Sequence, residues 1–285
     1  MFAVAGASGR VGTKTAEGLL RRGQKVRALV RSAEKGEHLS HRHAEVAVLD
    51  LLDTDALTKA LTGLSGAFFL IPTPPPERDY LEAADALVHS FVTATKHAKL
   101  PTVVLLSSVG AQHPSGTGPI VAQHRAEKAF AGIAKSVTFL RAAEPLEAWG
   151  PLLLDALDTG KLPFAGHVHS PFPQIGAKDV GDAAALALEE HVAGNRFVEI
   201  AGAQNWSVED VAKVVTSLLK TQIHPVEVTP EAELASLEKS GLPAARAALL
   251  AERSRAHARG LLHFAHPSEV RRGTTPLYDA LATLV

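Results

Sequence analysis

Apolar positions change period twice within the first thirty residues of the chain. Phe2 to Ala5 is an unbroken apolar run of strand length, after which Gly6, Gly9 and Gly12 space a G-x-x-G-x-x-G turn. From Thr13 to Arg22 the apolar residues Ala16, Leu19 and Leu20 fall at helical spacing, Gly23 ends the helix, and Val26 to Val30 reads as a second strand. The pattern predicts one βαβ unit. Alternation then continues: a short strand over Ala44 to Leu49, a helix from Asp53 or Thr54 to Leu61, a buried-type strand from Ala67 to Ile71 and a helix from Tyr80 to Ala98. A strand from Thr102 to Leu106, a helix from Ile120 to Ile133 and a sixth strand from Val137 to Leu140 complete the first half. Strands alternating with helices, without an internal repeat, predict an α/β fold of the Rossmann type, a doubly wound parallel sheet.

Past Trp149 the pattern loosens. Pro151 to Thr159 reads as a helix, Gly160 to Pro163 as a turn, and Ser170 to Ile175 as irregular or edge-like. Ser207-Val208-Glu209-Asp210 opens a helix to about Leu219 with a capping box, and from Val226 a short strand and further helices follow. The expected organisation is a nucleotide-binding domain over 1–150 and a smaller, discontinuous C-terminal substrate lobe over 151–285. The helix over 179–190 and the strand over 197–200 are expected to return to the first domain.

The glycine spacing has a chemical meaning. Gly6 permits the tight turn, Gly9 lets backbone approach a pyrophosphate, and Gly12 allows close packing at a helix N-terminus whose free N–H groups favour an anion. Ser8, Arg10 and Val11 belong to the same loop, which is expected to cradle a dinucleotide. The end of the second strand chooses which one. An NAD site commonly places a carboxylate about 20 residues beyond the glycines, whereas a 2′-phosphate needs positive charge. Arg31 stands there, with Ser32 next and Arg10 or Lys35 as possible helpers, so NADP(H) is preferred over NAD(H). Asp50 and Leu51 follow the third strand, where a carboxylate can accept from the adenine amine, although Asp50 equally suits a cap for the helix near Thr54. Ile71, Pro72 and Thr73 follow the fourth strand, and Ser107 and Ser108 the fifth. All are expected to border the ligand crevice at the carboxyl ends of the strands.

Composition narrows the alternatives. A chain of 285 residues has room for a large core, and a formal charge of -1 with a pI near 6.9 offers no general attraction to nucleic acid or to an anionic membrane. Cysteine is absent, which removes disulfides, thiolate nucleophiles and cysteine-ligated metals. The histidines at 38, 41 and 43, at 167 and 169, and at 263 and 266 read as solvated loop residues rather than metal ligands. With a strand beginning at residue 2 and no apolar run of membrane length, a cytoplasmic protein is expected, as monomer or homodimer, acting on a small-molecule acceptor.

The segments VAGASGRVG, ALVRS, LLSSVGA at 105–111, LRAAEPLEAW at 140–149 and QIGAKDVGDAA at 174–184 occur in an order that resembles the NmrA-like branch of the atypical short-chain dehydrogenase/reductases, with quinone reductase-like and triphenylmethane reductase-like members. The resemblance implies an extended Rossmann fold, NADP(H) preference and a substrate cleft between lobes. It also admits redox sensors that bind the cofactor without turnover and act through a protein partner. Ordinary members of the wider family pair a tyrosine with a lysine four residues on. Here the only tyrosines, Tyr80 and Tyr278, are followed at that distance by Ala84 and Ala282. In the segment where the pair belongs, His124 and Lys128 share a helix face, and His124 and Glu127 loosely match the family's alternative residues. These three are the catalytic candidates. A quinone can take hydride with little help from a protein acid, so the missing tyrosine argues against alcohol dehydrogenation more than against reduction. Glu147 is a candidate substrate-lining residue, and Trp149 either stacks on a flat acceptor or fills the lobe interface.

Overall fold

The computed structural model describes residues 1–284. In chain order the first elements are β1 (Phe2–Val4), α1 (Arg10–Arg21), β2 (Val26–Val30), α2 (Glu37–Ser40), β3 (Glu45–Val48), α3 (Thr54–Leu61), β4 (Gly66–Phe69) and α4 (Tyr80–His97). They are followed by β5 (Thr102–Ser108), α5 (Val121–Phe130), β6 (Ser136–Ala142), β7 (Glu144–Pro145), α6 (Trp149–Thr159), β8 (Lys161–Phe164), β9 (Phe172–Ile175) and α7 (Ala177–Glu190). The chain ends with β10 (Gly194–Ala201), β11 (Asn205–Trp206), α8 (Val208–Leu219), β12 (His224–Glu227), α9 (Pro230–Lys239), α10 (Ala244–Ala258), β13 (Arg271–Arg272) and α11 (Leu277–Ala282). Two compact units result. The first comprises Met1–Ser107, Ala122–Arg141 and Ala177–Val198, and the second comprises Ser108–Val121, Ala142–Gly176 and Glu199–Val285.

An eight-stranded sheet runs in the order β13-β10-β6-β5-β4-β1-β2-β3. Pairing is parallel from β3 through β2, β1 and β4 to β5. Starting at β1, the chain moves to one side for β2 and β3 and to the other for β4, β5 and β6, which is the doubly wound arrangement with its switch point between β1 and β4. Central strands are buried on both faces and therefore read as continuous apolar runs. β1 is Phe-Ala-Val and β4 is Gly-Ala-Phe-Phe, with every residue buried. Between sheet and helices, Phe69, Phe91, Phe130 and Phe139 are almost wholly withdrawn from water, and each such side chain stabilises by about 1.5–3 kcal/mol. Helices α1 and α7 lie close because their contact is built of small residues. A Cβ on Gly181 would sit 2.5 Å from the Lys14 carbonyl carbon, and one on Gly18 would sit 3.1 Å from the Ala185 Cβ. Beyond Val198, β10 continues into the second unit, where Ile200 and Ala201 pair in parallel with β13.

The second unit has its own core, in which Leu146, Trp149, Leu153, Leu162, Trp206 and Val211 are buried together. Two of its segments depart from the sequence reading. Gly160 to Pro163 is expected as a turn, but only Gly160 serves as one, a left-handed C-cap at φ 68°; from Lys161 the chain is β8, paired in parallel with β12. Ser170 to Ile175, expected as irregular or edge-like, yields β9, antiparallel to β11 and parallel to β7. Both strands depend on partners distant in sequence, so local residue preference does not reveal them. In the first unit, α1 starts at Arg10 rather than Thr13, so Gly12 lies inside the helix, and α5 stops at Phe130 ahead of the left-handed Gly132. The expected capping box is present in full: Ser207 Oγ accepts from Asp210 N, and the Asp210 carboxylate accepts from Ser207 N. Among the described residues no helix is long and apolar enough to cross a membrane.

Candidate active site

Five adjacent parallel strands of the first unit deliver the candidate cofactor residues to one edge of the sheet. Gly6 to Gly12 follow β1, Arg31 follows β2, Asp50 and Leu51 follow β3, Ile71 to Thr73 follow β4, and Ser107 stands in the last residues of β5. In an open parallel sheet this carboxyl edge, at the switch point, is where ligands bind.

The glycine loop is tight for a visible reason. Gly6 has φ 64°, which carries the chain sharply out of β1, and its carbonyl accepts from Gly9 N at 2.8 Å. The same carbonyl leaves no room at Gly12, where an added Cβ would lie 2.1 Å from it. Thr13 locks the turn by donating its hydroxyl to Ala7 O at 2.7 Å. Helix α1 then begins with Gly9 as N-cap, no side-chain cap and no acid in its first turn. Its leading N–H groups are therefore not satisfied by a side-chain cap, and Ser8, Gly9 and Arg10 around them are exposed. This donor set fits a pyrophosphate.

Around the loop, Arg31 is exposed immediately after β2. Asp50 is also exposed, and its Oδ1 accepts from Leu52 N at 2.9 Å. The alternative role for Asp50 as a helix cap is overturned, because α3 is capped by Asp53, whose carboxylate accepts from Ala56 N. Leu51 and Ile71 are half-buried, and Pro72 and Thr73 are exposed. Ser108 donates its hydroxyl to Val109 O.

The catalytic candidates separate into two groups. His124, half-buried, and Lys128, exposed, stand one turn apart on α5. Glu127 is instead buried. Its carboxylate receives Arg141 through two bonds, Nε to Oε1 at 2.8 Å and a terminal nitrogen to Oε2 at 2.7 Å, and Oε1 also accepts from Ser107 Oγ at 2.6 Å. The Arg141 guanidinium lies 4.3 Å from the centroid of the Phe197 ring. Glu127 thus ties the end of β5 to β6, a connection invisible in the sequence because Ser107 and Arg141 stand 20 and 14 residues away from it.

In the second unit, Trp149 is buried, and its Nε1 donates to Gln174 Oε1 at 2.7 Å while Gln174 Nε2 donates to Trp206 O at 2.8 Å. Glu147 lies in the short 3-10 turn just before it. Trp149 also walls a cavity of about 220 Å³ with Phe164, Phe172 and Glu144. His257 packs edge-on against Phe164 and Phe172 and meets Glu144 at 3.3 Å, Nδ1 to Oε1. Burial pushes the Glu144 carboxyl up, but the hydrogen bond from His257 and the positive charges of Arg253 and His257 together outweigh it and hold the group below its ordinary value. Sequence reading missed this pair, since its members are 113 residues apart. Among the described residues no group of three or more His, Asp or Glu side chains converges as a metal site.

An open doubly wound sheet with an uncapped helix behind a glycine turn defines a nucleotide-binding protein of the Rossmann class. Residues 6–144 match the family model described as NAD(P)H-binding. The fold is shared with an NADPH-dependent quinone oxidoreductase of Escherichia coli complexed with NADPH, at 23% identity and TM-score 0.82 over 100% of this chain and 99% of that one. It is shared equally with a nucleoside-diphosphate-sugar epimerase of Staphylococcus aureus, at 19% identity and TM-score 0.80 over 99% of each chain. Triphenylmethane reductase of Citrobacter sp. matches at 21% identity and TM-score 0.80, over 99% of this chain and 98% of that one. No curated protein matches by sequence.

Proposed function

We propose that the protein is an NADPH-dependent oxidoreductase that reduces a small flat electrophile such as a quinone. The observation that carries this reading is the pairing of an uncapped α1 N-terminus with an arginine, and no acid, directly after β2. Backbone N–H groups from Gly9 onward would hold the pyrophosphate, with Ser8 and Val11 in the same loop. Arg31, assisted by Arg10, would grip the 2′-phosphate through charge-assisted bonds. Asp50 and Leu51 would border the adenine, Ile71, Pro72 and Thr73 the nicotinamide ribose, and Ser107 and Ser108 the nicotinamide end. Bound NADPH would supply the hydride.

The chain's own contribution is then position and one proton. With no tyrosine–lysine pair, His124 is the candidate donor, and Lys128 one turn on would draw an anionic product toward it. Glu127 acts as a positioning residue, fixing the Ser107 hydroxyl by accepting its hydrogen bond. Hydride acceptance by a quinone gives a resonance-stabilised anion, so orientation carries most of the rate. Glu147 and Trp149 are proposed to face the acceptor. The E. coli quinone oxidoreductase and the Citrobacter reductase support the reading through their shared fold and their reductase activities.

Stopped-flow oxidation of NADPH against a panel of benzoquinones and naphthoquinones tests it. Turnover with at least one member is expected; saturable NADPH binding without turnover across the panel would favour a redox sensor instead. Arg31→Ala is expected to raise Kd for NADPH by roughly tenfold to a hundredfold, the equivalent of about 1.5–3 kcal/mol for bonds to a charged group, while leaving NADH nearly unchanged.

A further inference from the structure

In the cavity of the second unit an accessible carboxylate faces aromatic walls. Trp149, Phe164 and Phe172 line it, and its volume of about 220 Å³ lies below the ~300–1,000 Å³ of pockets for drug-sized ligands, so one or two fused rings fill it. Glu144 and Arg253 line the same space. The Glu144 carboxylate is held at one oxygen: Oε1 meets His257 Nδ1 at 3.3 Å, and the His257 ring is itself packed edge-on against Phe164 and Phe172. The other oxygen, Oε2, has no hydrogen-bond partner among the described residues, and it is not closed off, for 19% of the side chain remains exposed. Water reaches it, and so can a ligand in the cavity. Arg253 attracts Glu144 electrostatically yet forms no direct ion pair with it among the described residues, so a gap separates the acceptor from the guanidinium donors. A ring entering the cavity displaces the water that hydrates Glu144 Oε2. If the ring brings no donor in exchange, the charge loses a hydrogen bond and binding weakens accordingly.

We propose that this cavity binds a phenol of one or two fused rings whose hydroxyl sits between Glu144 and Arg253, donating to Glu144 Oε2 and accepting from the Arg253 guanidinium. A hydroxyl suits the gap because it is donor and acceptor at one atom. The aromatic walls supply apolar contact area, and the carboxylate supplies selectivity for hydroxylated rings over their ethers. A ring carboxylate is disfavoured, since it would face Glu144 with like charge and no proton to donate. For the role of such a ligand as hydride acceptor, and hence a hydroxyquinone as substrate class, the proposal rests on the reductase reading. For the site itself it rests on the second unit alone.

The experiment keeps the two apart by omitting nucleotide and turnover. Isothermal calorimetry of the full chain is run with 2-naphthol, with 2-methoxynaphthalene, which has the same rings and no donor, and with 2-naphthoate, which offers Arg253 an anion and Glu144 no donor. Saturable binding of 2-naphthol at one site, at least about tenfold tighter than either of the others, is expected. Glu144→Leu should bring 2-naphthol within about twofold of the ether, and Glu144→Gln should narrow the preference while preserving shape. Arg253→Met should weaken 2-naphthol and the ether alike and leave the preference between them, and Leu152→Trp should abolish binding by filling the cavity. No saturable heat with 2-naphthol, an ether or naphthoate that binds as tightly, a preference that survives Glu144→Leu, or binding that survives Leu152→Trp would each overturn the proposal. Circular dichroism and cooperative urea unfolding report that each variant is folded, and the NADPH oxidation assay separately decides the reductase reading.

Discussion

Gly12 shows how one hydrogen atom in place of a methyl decides the shape of a site. Any side chain there meets the Gly6 carbonyl at 2.1 Å, backbone against backbone, with no rotamer to relieve it. Gly12→Ala is expected to displace the loop at a strain of about 1–3 kcal/mol and to raise Kd for NADPH at least about tenfold, read by fluorescence titration. Glu127 makes the opposite case, a residue whose role follows from its partners rather than its own position in the sequence. The Glu127–Arg141 pair has only 7% of each side chain exposed, so Glu127→Leu, which leaves Arg141 buried and unpaired, should destabilise the protein by about 3–5 kcal/mol in urea unfolding. Adding Arg141→Met to that variant should restore much of the loss, because the uncompensated charge goes with it. The two catalytic candidates one turn apart on α5 were readable from helical spacing, whereas the burial of Glu127 between them was not: periodicity places a side chain on a face, and only the strands behind α5 decide what that face meets.

At the scale of elements, legibility tracks how local the stabilising forces are. Helix α3 opens at Thr54 behind an aspartate cap, and α8 opens with a capping box that four consecutive residues encode. Ser207→Ala removes the acceptor for Asp210 N and should lower stability by about 0.5–2 kcal/mol, measured by thermal or urea unfolding, with the loss confined to α8 in hydrogen exchange. Strands β8 and β9 lie at the other extreme. Each is proline-bearing and short, and each exists because of pairing with a partner, in the case of β8 more than fifty residues away in β12. Most of the candidate cofactor loops fall on the legible side, since those after β1 and β4 directly follow apolar strands that are wholly buried.

For the whole molecule, acid is the informative perturbation. Glu144 is held below its ordinary value of 4.5 in the folded protein, and Asp210 below 3.8, the latter chiefly through the Ser207 backbone N–H. A carboxyl with a depressed folded value contributes stability above its ordinary value and loses it as pH falls through the depressed one. Unfolding free energy should therefore be insensitive to these groups above about pH 5 and should decline progressively below it. Glu144→Gln should flatten part of that decline; a pH–stability curve superimposable on that of the unaltered protein would show that Glu144 has no share in it. The alternation of strands and helices through β6, the glycine turn, the arginine after β2 and the capping box of α8 were determined by sequence alone, because period, turn chemistry and capping act over a few neighbouring residues. Tertiary structure alone decided that Glu127 joins Arg141 and that Glu144 meets His257. Those contacts join residues far apart along the chain, and no local preference specifies which distant side chain will be there when the backbone closes.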